Sequence, residues 1–391
     1  MADDTTLTVL SRFSGFEREE WNQLAGTSRA DGNSYYNPFI SYDFLLSNEE
    51  SGCASARTGW LPQHLALRAG DGTLIGAVPC YLKSHSQGEY VFDHGWADAF
   101  ERAGGRYYPK LQVSVPFTPV TGPRLLVRRG VDENAVRQAL AGGLRTLTRQ
   151  LDVSSAHVTF ATRDDIAVLE RDGFLLRTDK QFHFFNESYR SYEDFLATLA
   201  SRKRKALKKE RREAVAPGIE IDWLTGGDIT EAAWDDFFAF YMDTGSRKWG
   251  RPYLNRLFFS LIGERMADDI LLVMARRNGR YIAGAINFIG SDALYGRNWG
   301  AIEHHPFLHF EVCYHQAIEF AIARGLSRVE AGAQGEHKLA RGYVPVTTMS
   351  AHYIAHPALR RAVADYLERE RQEVEMVGEY LSQHSPYRKV S

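Results

Sequence analysis

The sequence predicts an α/β fold built from two similar modules, and three observations carry that prediction. First, two hairpin signals recur: His64–Arg68 is joined by Ala-Gly-Asp-Gly to Thr73–Val78, and Ile270–Arg276 by Arg-Asn-Gly to Arg280–Phe288. Asp-Gly and Asn-Gly between apolar runs favour tight turns because these residues accept positive φ. Second, each hairpin is followed by a further strand candidate, a helix and a short strand. These are Asn134–Leu151 with His157–Ala161 in the first half, and Phe307–Arg324 with Arg328–Glu330 in the second. Third, 391 residues exceed one typical core, and 44% apolar with 12% aromatic content fits packed globular material. The two copies match in architecture, with slight sequence identity.

Taken in order, the first module is expected over residues 1–186 and the second over 187–391. Residues 85–126 read as an aromatic, polar insertion in the first. Residues 191–214 read as a basic helical segment ending at Pro217-Gly218, with Ser191 and Asp194 spaced as a capping box. In the next helix Pro306 fits the first helical position and Gly325 the residue past its end. Phe307, Phe310, Tyr314, Ala317, Ile318 and Ala321 share a helical spacing that would face a sheet. Ala358 to about Gln383 reads as a long, charged amphipathic helix.

Bulk charge and cysteine usage narrow the function classes. A net charge of −2 makes any nucleic-acid contact local. The three cysteines, Cys53, Cys80 and Cys313, are far apart, without the pairs that a disulfide framework or a cysteine zinc site needs. The N-terminus lacks an apolar core segment and no run approaches 18 apolar residues, so the expectation is a cytoplasmic chain with no stable membrane insertion.

The most chemically loaded stretch is Glu330-Ala-Gly-Ala-Gln-Gly-Glu-His-Lys-Leu-Ala-Arg-Gly-Tyr343. Its glycines let the backbone turn sharply or approach a ligand, while Glu336, His337, Lys338 and Arg341 supply an acid, an imidazole and two cations. Lys338 and Arg341 are the first candidates to bind an anion. Glu336 and His337 are candidates for proton removal, with Asp93 and His94 as rivals. Tyr295, Arg297 and Trp299 alternate on a strand candidate and would share a cleft face, with His183 lining the same cleft. The cluster His304, His305, His309, Glu311, Cys313 and His315 lacks paired ligand spacing, so no metal is expected.

Several ordered motifs carry a family resemblance. They are Glu89-Tyr-Val-Phe-Asp-His-Gly-Trp-Ala-Asp98, Tyr107-Tyr-Pro-Lys-Leu111, Val115–Pro123, Gln181–Asn186, Arg202-Lys-Arg-Lys205, Leu294-Tyr-Gly-Arg-Asn-Trp-Gly300 and Phe307–Tyr314, followed by the Glu330 segment. Over roughly residues 30–370 the chain resembles the FemAB-like predicted N-acyltransferases. That resemblance implies tandem GNAT-like (Fem-type) modules and transfer of an acyl or aminoacyl group to an amine. The acceptor would be an amine-bearing small molecule or a cell-wall precursor, and the donor acyl-CoA or aminoacyl-tRNA. In related sequences a Tyr-Lys or similar pair follows the penultimate strand, and His337-Lys338 falls there. Tyr108 and Lys110 in the insertion are further candidate substrate contacts.

The basic run from Arg202 to Arg212 holds eight cations and one acid in eleven residues. It fits a solvated helix face, a grip on tRNA phosphates, or a holder for the phosphates of CoA or a lipid-linked precursor. A glycine-rich pyrophosphate loop is only half present at Arg297-Asn-Trp-Gly300, which counts against acetyl-CoA. Two alternatives stay open: a CoA-dependent small-molecule N-acetyltransferase and a non-catalytic protein that binds a peptidoglycan precursor or RNA.

Overall fold

The computed structural model describes residues 5–27, 36–249, 252–332, 335–384 and 386–388. The chain divides into two compact units, 1–179 with 347–375 and 180–346 with 376–391. This corrects the boundary expected at 186/187 and returns part of the C-terminal region to the first unit. The crossings fall inside two strands, β9 and β15 below, and inside the helix Pro357–Gln383. Hairpin spacing marks a module, but a strand's own pattern does not encode which sheet edge it joins.

The first unit contains β1 (Thr6–Leu10), β2 (Trp60–Pro62), β3 (His64–Arg68), β4 (Leu74–Val78), β5 (Cys80–Lys83), β6 (Lys110–Val113), β7 (Leu126–Val127) and β8 (Ser155–Val158). The expected hairpin forms, with Leu65 opposite Val78. It is split at Gln63 and Pro79, so β3 and β4 join a sheet ordered β1-β3-β4-β7 while β2 and β5 pair elsewhere. Pro79 has no N–H to continue the ladder. Strands β6 and β8 run parallel, joined by the helix Glu133–Gln150, whose Asp132 cap accepts from the Ala135 N–H. Leu140, Ala141, Leu144 and Leu147 of that helix pack over Leu111, Val113, Ala156 and Val158.

Strand β9 (Leu175–Phe185) carries the chain into the second unit. There β10 (Ile219–Leu224), β11 (Ile270–Arg277), β12 (Arg280–Ile289), β13 (Ala293–Ala301) and β14 (Arg328–Glu330) are ordered β10-β11-β12-β13-β14-β9. At the β11–β12 turn Asn278 and Gly279 both take left-handed φ values, 51° and 75°, as the Asn-Gly signal requires. β13 and β14 are the parallel pair here. Strand β15 (Val344–Ile354) brings the chain back, and from Thr347 it belongs to the first unit, where it pairs antiparallel with β8.

The crossover helix of the second unit starts later than Pro306 suggests. Phe307 takes a left-handed φ of 64°, the helix begins at Leu308, and Phe307 stays exposed. A π-helical turn, Glu311–His315, follows before the regular helix Gln316–Ala323. Gly325, at φ 66°, ends it as expected, and Ala317, Ile318 and Ala321 are buried against the sheet.

The basic segment is two helices, Tyr192–Thr198 and Ser201–Val215, separated by extended Leu199. The Ser191 hydroxyl caps the first by accepting from the Asp194 N–H at 3.1 Å. Helix Pro357–Gln383 matches the long C-terminal expectation, and its Leu359, Val363 and Leu367 pack with Trp96 and Tyr107. Among the described residues no helix is long and apolar enough to cross a membrane.

Candidate functional site

In the second unit Leu294, Val329, Phe182 and Phe184 face the crossover helix. Alternation then turns Tyr295, Glu330 and His183 to the opposite face, where strand register sets them side by side: Tyr295 opposite Glu330, and Glu330 opposite His183. All three are buried. Parallel pairing of β13 with β14 ends at this row, while β13 runs on to Ala301. The chain therefore brings a carboxylate, an imidazole and a phenol to the point where two parallel strands separate.

Glu330 is held on one side only. Arg328 Nε donates to its Oε1 at 2.9 Å, and the Arg328 guanidinium is also hydrogen-bonded to Asp292. Glu330 Oε2 lies 3.8 Å from His183 Nε2, and neither atom has a hydrogen-bond partner among the described residues. Burial raises the Glu330 pKa, against the opposing charge and hydrogen bond of Arg328. Burial, with the positive charges of Arg328 and Lys338, pushes His183 down to about 3. The imidazole is thus held neutral, beside a carboxylate whose affinity for a proton is increased by burial.

The residues of the Glu330–Tyr343 segment gather elsewhere. Lys338 Nζ donates to the carbonyls of Ala331 and Gly332, at 2.6 and 3.1 Å, just past the end of β14. Burial lowers its pKa to about 8. Arg341 binds both carboxylate oxygens of Glu210, at 2.8 and 2.6 Å, and lies 3.4 Å from the Phe310 ring centre. Its charge is satisfied within the protein, which corrects its expected role as a free anion ligand. His337 is exposed and pairs with the Tyr314 hydroxyl at 3.0 Å. The Glu336 side chain lies outside the described residues, as do Ala333 and Gln334.

The expected common face of Tyr295, Arg297 and Trp299 does not form. Asn287 faces Gly296 and Ala285 faces Trp299, so β13 carries one extra residue between them. The bulge flips the alternation: Tyr295 points away from the crossover helix, while Trp299 packs toward it, 5.2 Å from the His309 ring. Arg297 falls within the bulge and is half-buried. Gly300 serves packing, since a Cβ there would sit 2.1 Å from the Phe240 carbonyl oxygen of helix Glu231–Trp249. The half-motif at Arg297–Gly300 is thus strand and not a phosphate loop.

The insertion candidates form a separate buried network in the first unit. Lys110 Nζ donates to Ser86 Oγ, Glu89 Oε2 and Asp93 Oδ2 at 2.8, 2.7 and 2.5 Å. Tyr107 donates to Asp93, His157 Nε2 meets Ser155 Oγ, and the Nδ1 atoms of His157 and His352 lie 2.6 Å apart. Burial alone would raise the Asp93 carboxyl, but Lys110 and then His157 hold it well below the usual range. A carboxylate so stabilised is a poor base, which corrects the expectation for Asp93. Lys110 is fully enclosed and Tyr108 hydrogen-bonds Ser86, so neither presents a free polar group. His94 opens helix His94–Arg102 on the exposed side, its ring stacked with Phe92.

These histidines predict a pH dependence of stability. Burial first, then Lys110, pushes His157 down to about 3; burial holds His352 well below its ordinary value, and His183 behaves alike. An unfolded histidine takes a proton near its ordinary value of 6.5 while the folded one does not. Stability is therefore full above that value and falls with pH below it, by about 2 kcal/mol per histidine at about pH 5. Chemical denaturation at about pH 7 and 5 checks this.

On helix Ser201–Val215, Glu210 also meets His315, and Arg211 pairs with Glu311 and Glu319. Lys208 and Lys209 pair with Glu193 and Glu213. Arg202, Lys203, Arg204, Lys205 and Arg212 form no ion pair among the described residues, and all except half-buried Arg204 are exposed. The turn entering the crossover helix, Ile302–Phe307, has no glycine and carries Glu303 paired with Arg277 and His305.

The sequence matches the FemAB-like family, described as peptidoglycan biosynthesis/recognition, over residues 12–389. The chain belongs to the FemAB-like family. No curated protein matches the sequence. The FemAB-like chain is similar to crystalline FemX, at 11% identity and TM-score 0.55, over 89% of this chain and 98% of FemX. It is also similar to a protein of unknown function from Bacteroides thetaiotaomicron, at 12% identity and TM-score 0.53, over 89% of this chain and all (100%) of that one. A third likeness is L-PGS from Bacillus licheniformis, at 8% identity and TM-score 0.51, over 83% and 94% of the two chains. At these identities the likeness speaks for the fold: a FemAB-like α/β protein with the fold of FemX.

Proposed function

We propose that this FemAB-like protein is an N-acyltransferase, and that it joins an acyl or aminoacyl group to an amine at the end of β14. The observation that carries this reading is the buried pair Glu330 Oε2 and His183 Nε2, 3.8 Å apart and without a hydrogen-bond partner among the described residues, where β13 and β14 part. The acceptor ammonium gives its proton to Glu330, and the freed lone pair attacks the donor carbonyl. The C–N bond forms, the ester or thioester bond breaks, and the attacking nitrogen's second proton passes to the leaving oxygen or sulfur. Backbone N–H groups at the separating strands and the Lys338 ammonium favour the oxyanion. Tyr295 lines the same row and orients the acceptor.

We infer an aminoacyl-tRNA donor and an amine on a peptidoglycan precursor as acceptor. The Arg202–Lys205 cations, without ion pairs among the described residues, support a polyanionic donor, and the glycine-free, acid-bearing Ile302–Phe307 turn counts against a pyrophosphate cradle. The family description supports the acceptor class. Replacing Arg202, Lys203, Arg204 and Lys205 together by Glu should weaken tRNA binding at least about tenfold at ~0.1 M salt and flatten its salt dependence. Filter binding across a salt series reads both. Unchanged affinity and slope, with acyl-CoA binding retained, would move the donor to the thioester.

A further inference from the structure

We propose that Arg328 is a positioning residue of this site: it fixes Oε1 of Glu330, so that Oε2 faces His183 and receives the acceptor's proton. The inference rests on the acyl-transfer reading and deepens it. Arg328 and Glu330 sit two apart on β14, on one face, with Arg328 Nε on Oε1 at 2.9 Å. The same guanidinium is anchored by Asp292, in the turn before β13. That leaves one carboxylate oxygen engaged and the other open toward β9, so the lone pair that takes the proton has a fixed direction.

Arg328 also sets how easily Glu330 ionises. The charged groups around Glu330 are Arg328 on its own strand, Asp292 before β13, His183 on β9, Tyr295 on β13, and Lys338 beyond β14. Burial drives the carboxyl toward its neutral form and Asp292 adds to that, while Arg328 opposes both. Without Arg328 the carboxyl would hold its proton to a higher pH and be less available to accept one from an ammonium.

The test needs one readout that does not depend on turnover. In protein labelled with carbon-13 at the glutamate side-chain carboxyl, the Glu330 resonance is the one lost in Glu330→Gln. Its titration midpoint should rise by about 1–2 pH units in Arg328→Gln. Arg328→Lys keeps the charge but not the fork, so its midpoint should stay within about half a unit of wild type while kcat falls at least about tenfold. The acid limb of kcat/KM should follow the midpoint in each variant. Should Arg328→Gln fail to fold, Asp292→Asn, which frees the anchor and keeps the cation, should lower kcat with a small midpoint change. An unmoved midpoint in Arg328→Gln, or full kcat in Arg328→Lys and Asp292→Asn, overturns the clamp. Full transfer by Glu330→Gln with a moved Arg328→Gln midpoint would instead sink the catalytic reading and leave the clamp standing.

Discussion

Glu330→Gln is expected to reduce acyl transfer about 10²- to 10⁴-fold with the fold intact. The amide keeps the shape of the carboxylate, and its oxygen still accepts from Arg328 Nε, as Glu330 Oε1 does at 2.9 Å. Its NH₂ then occupies the place of Oε2, facing His183 Nε2. The substitution removes a charge whose burial is unfavourable, so thermal stability should hold or rise slightly. Loss of activity with loss of structure would carry no mechanistic message. Circular dichroism and a melting curve therefore belong with the rate. A Glu330→Gln variant that is folded and fully active would remove Glu330 from the chemistry.

Lys110→Met should produce the largest loss of stability. The Lys110 ammonium is fully enclosed and neutralises Glu89 and Asp93, whose side chains are 1% and 2% exposed. Lys83 lies 3.8 Å from Glu89 Oε1 and cannot take over both carboxylates. Removing one partner of a buried ion cluster costs about 3–5 kcal/mol, a large part of a domain's ~5–15 kcal/mol. Differential scanning calorimetry should show a fall in Tm of about 10 °C or more for the transition of the first unit. The pH dependence gives a second signature. Stranded buried carboxylates bind protons more tightly folded than unfolded, so the deficit relative to wild type should shrink as pH falls toward about 4. A Tm within about 2 °C of wild type would mean that the network contributes little.

The repeat was legible because hairpin turns and helix stops depend on local residues. Asn278-Gly279 adopt the predicted left-handed pair, and Gly325 ends the crossover helix where a glycine stop belongs. The exchanged strands were not legible, because β9 and β15 owe their place to tertiary packing. The bulge in β13 defeated the alternation argument for Tyr295 and Trp299: one extra residue reverses a face without any mark in polarity.

The site was legible in part. The sequence placed Tyr295 and His183 along one cleft, and the structure sets them in one row with Glu330, with Lys338 bonded to the backbone just past it. Glu330, the proton acceptor we propose, was not among the candidates from sequence, although a signal was present: a glutamate ends a buried strand just before Gly332. Arg341 and Asp93 misled because sequence shows a charge but not its partner. Glu210 and Lys110, both far away in sequence, had already claimed them.

In the proposed reaction the proton leaves the acceptor at Glu330. The direct measurement is mass-spectrometric detection of amide product when the protein is given charged tRNA or acyl-CoA and a panel of peptidoglycan-precursor amines. Wild type and Glu336→Gln should form the same amide, and Glu330→Gln should form little or none. Product from Glu330→Gln at the wild-type rate, or its loss in Glu336→Gln alone, would contradict the account.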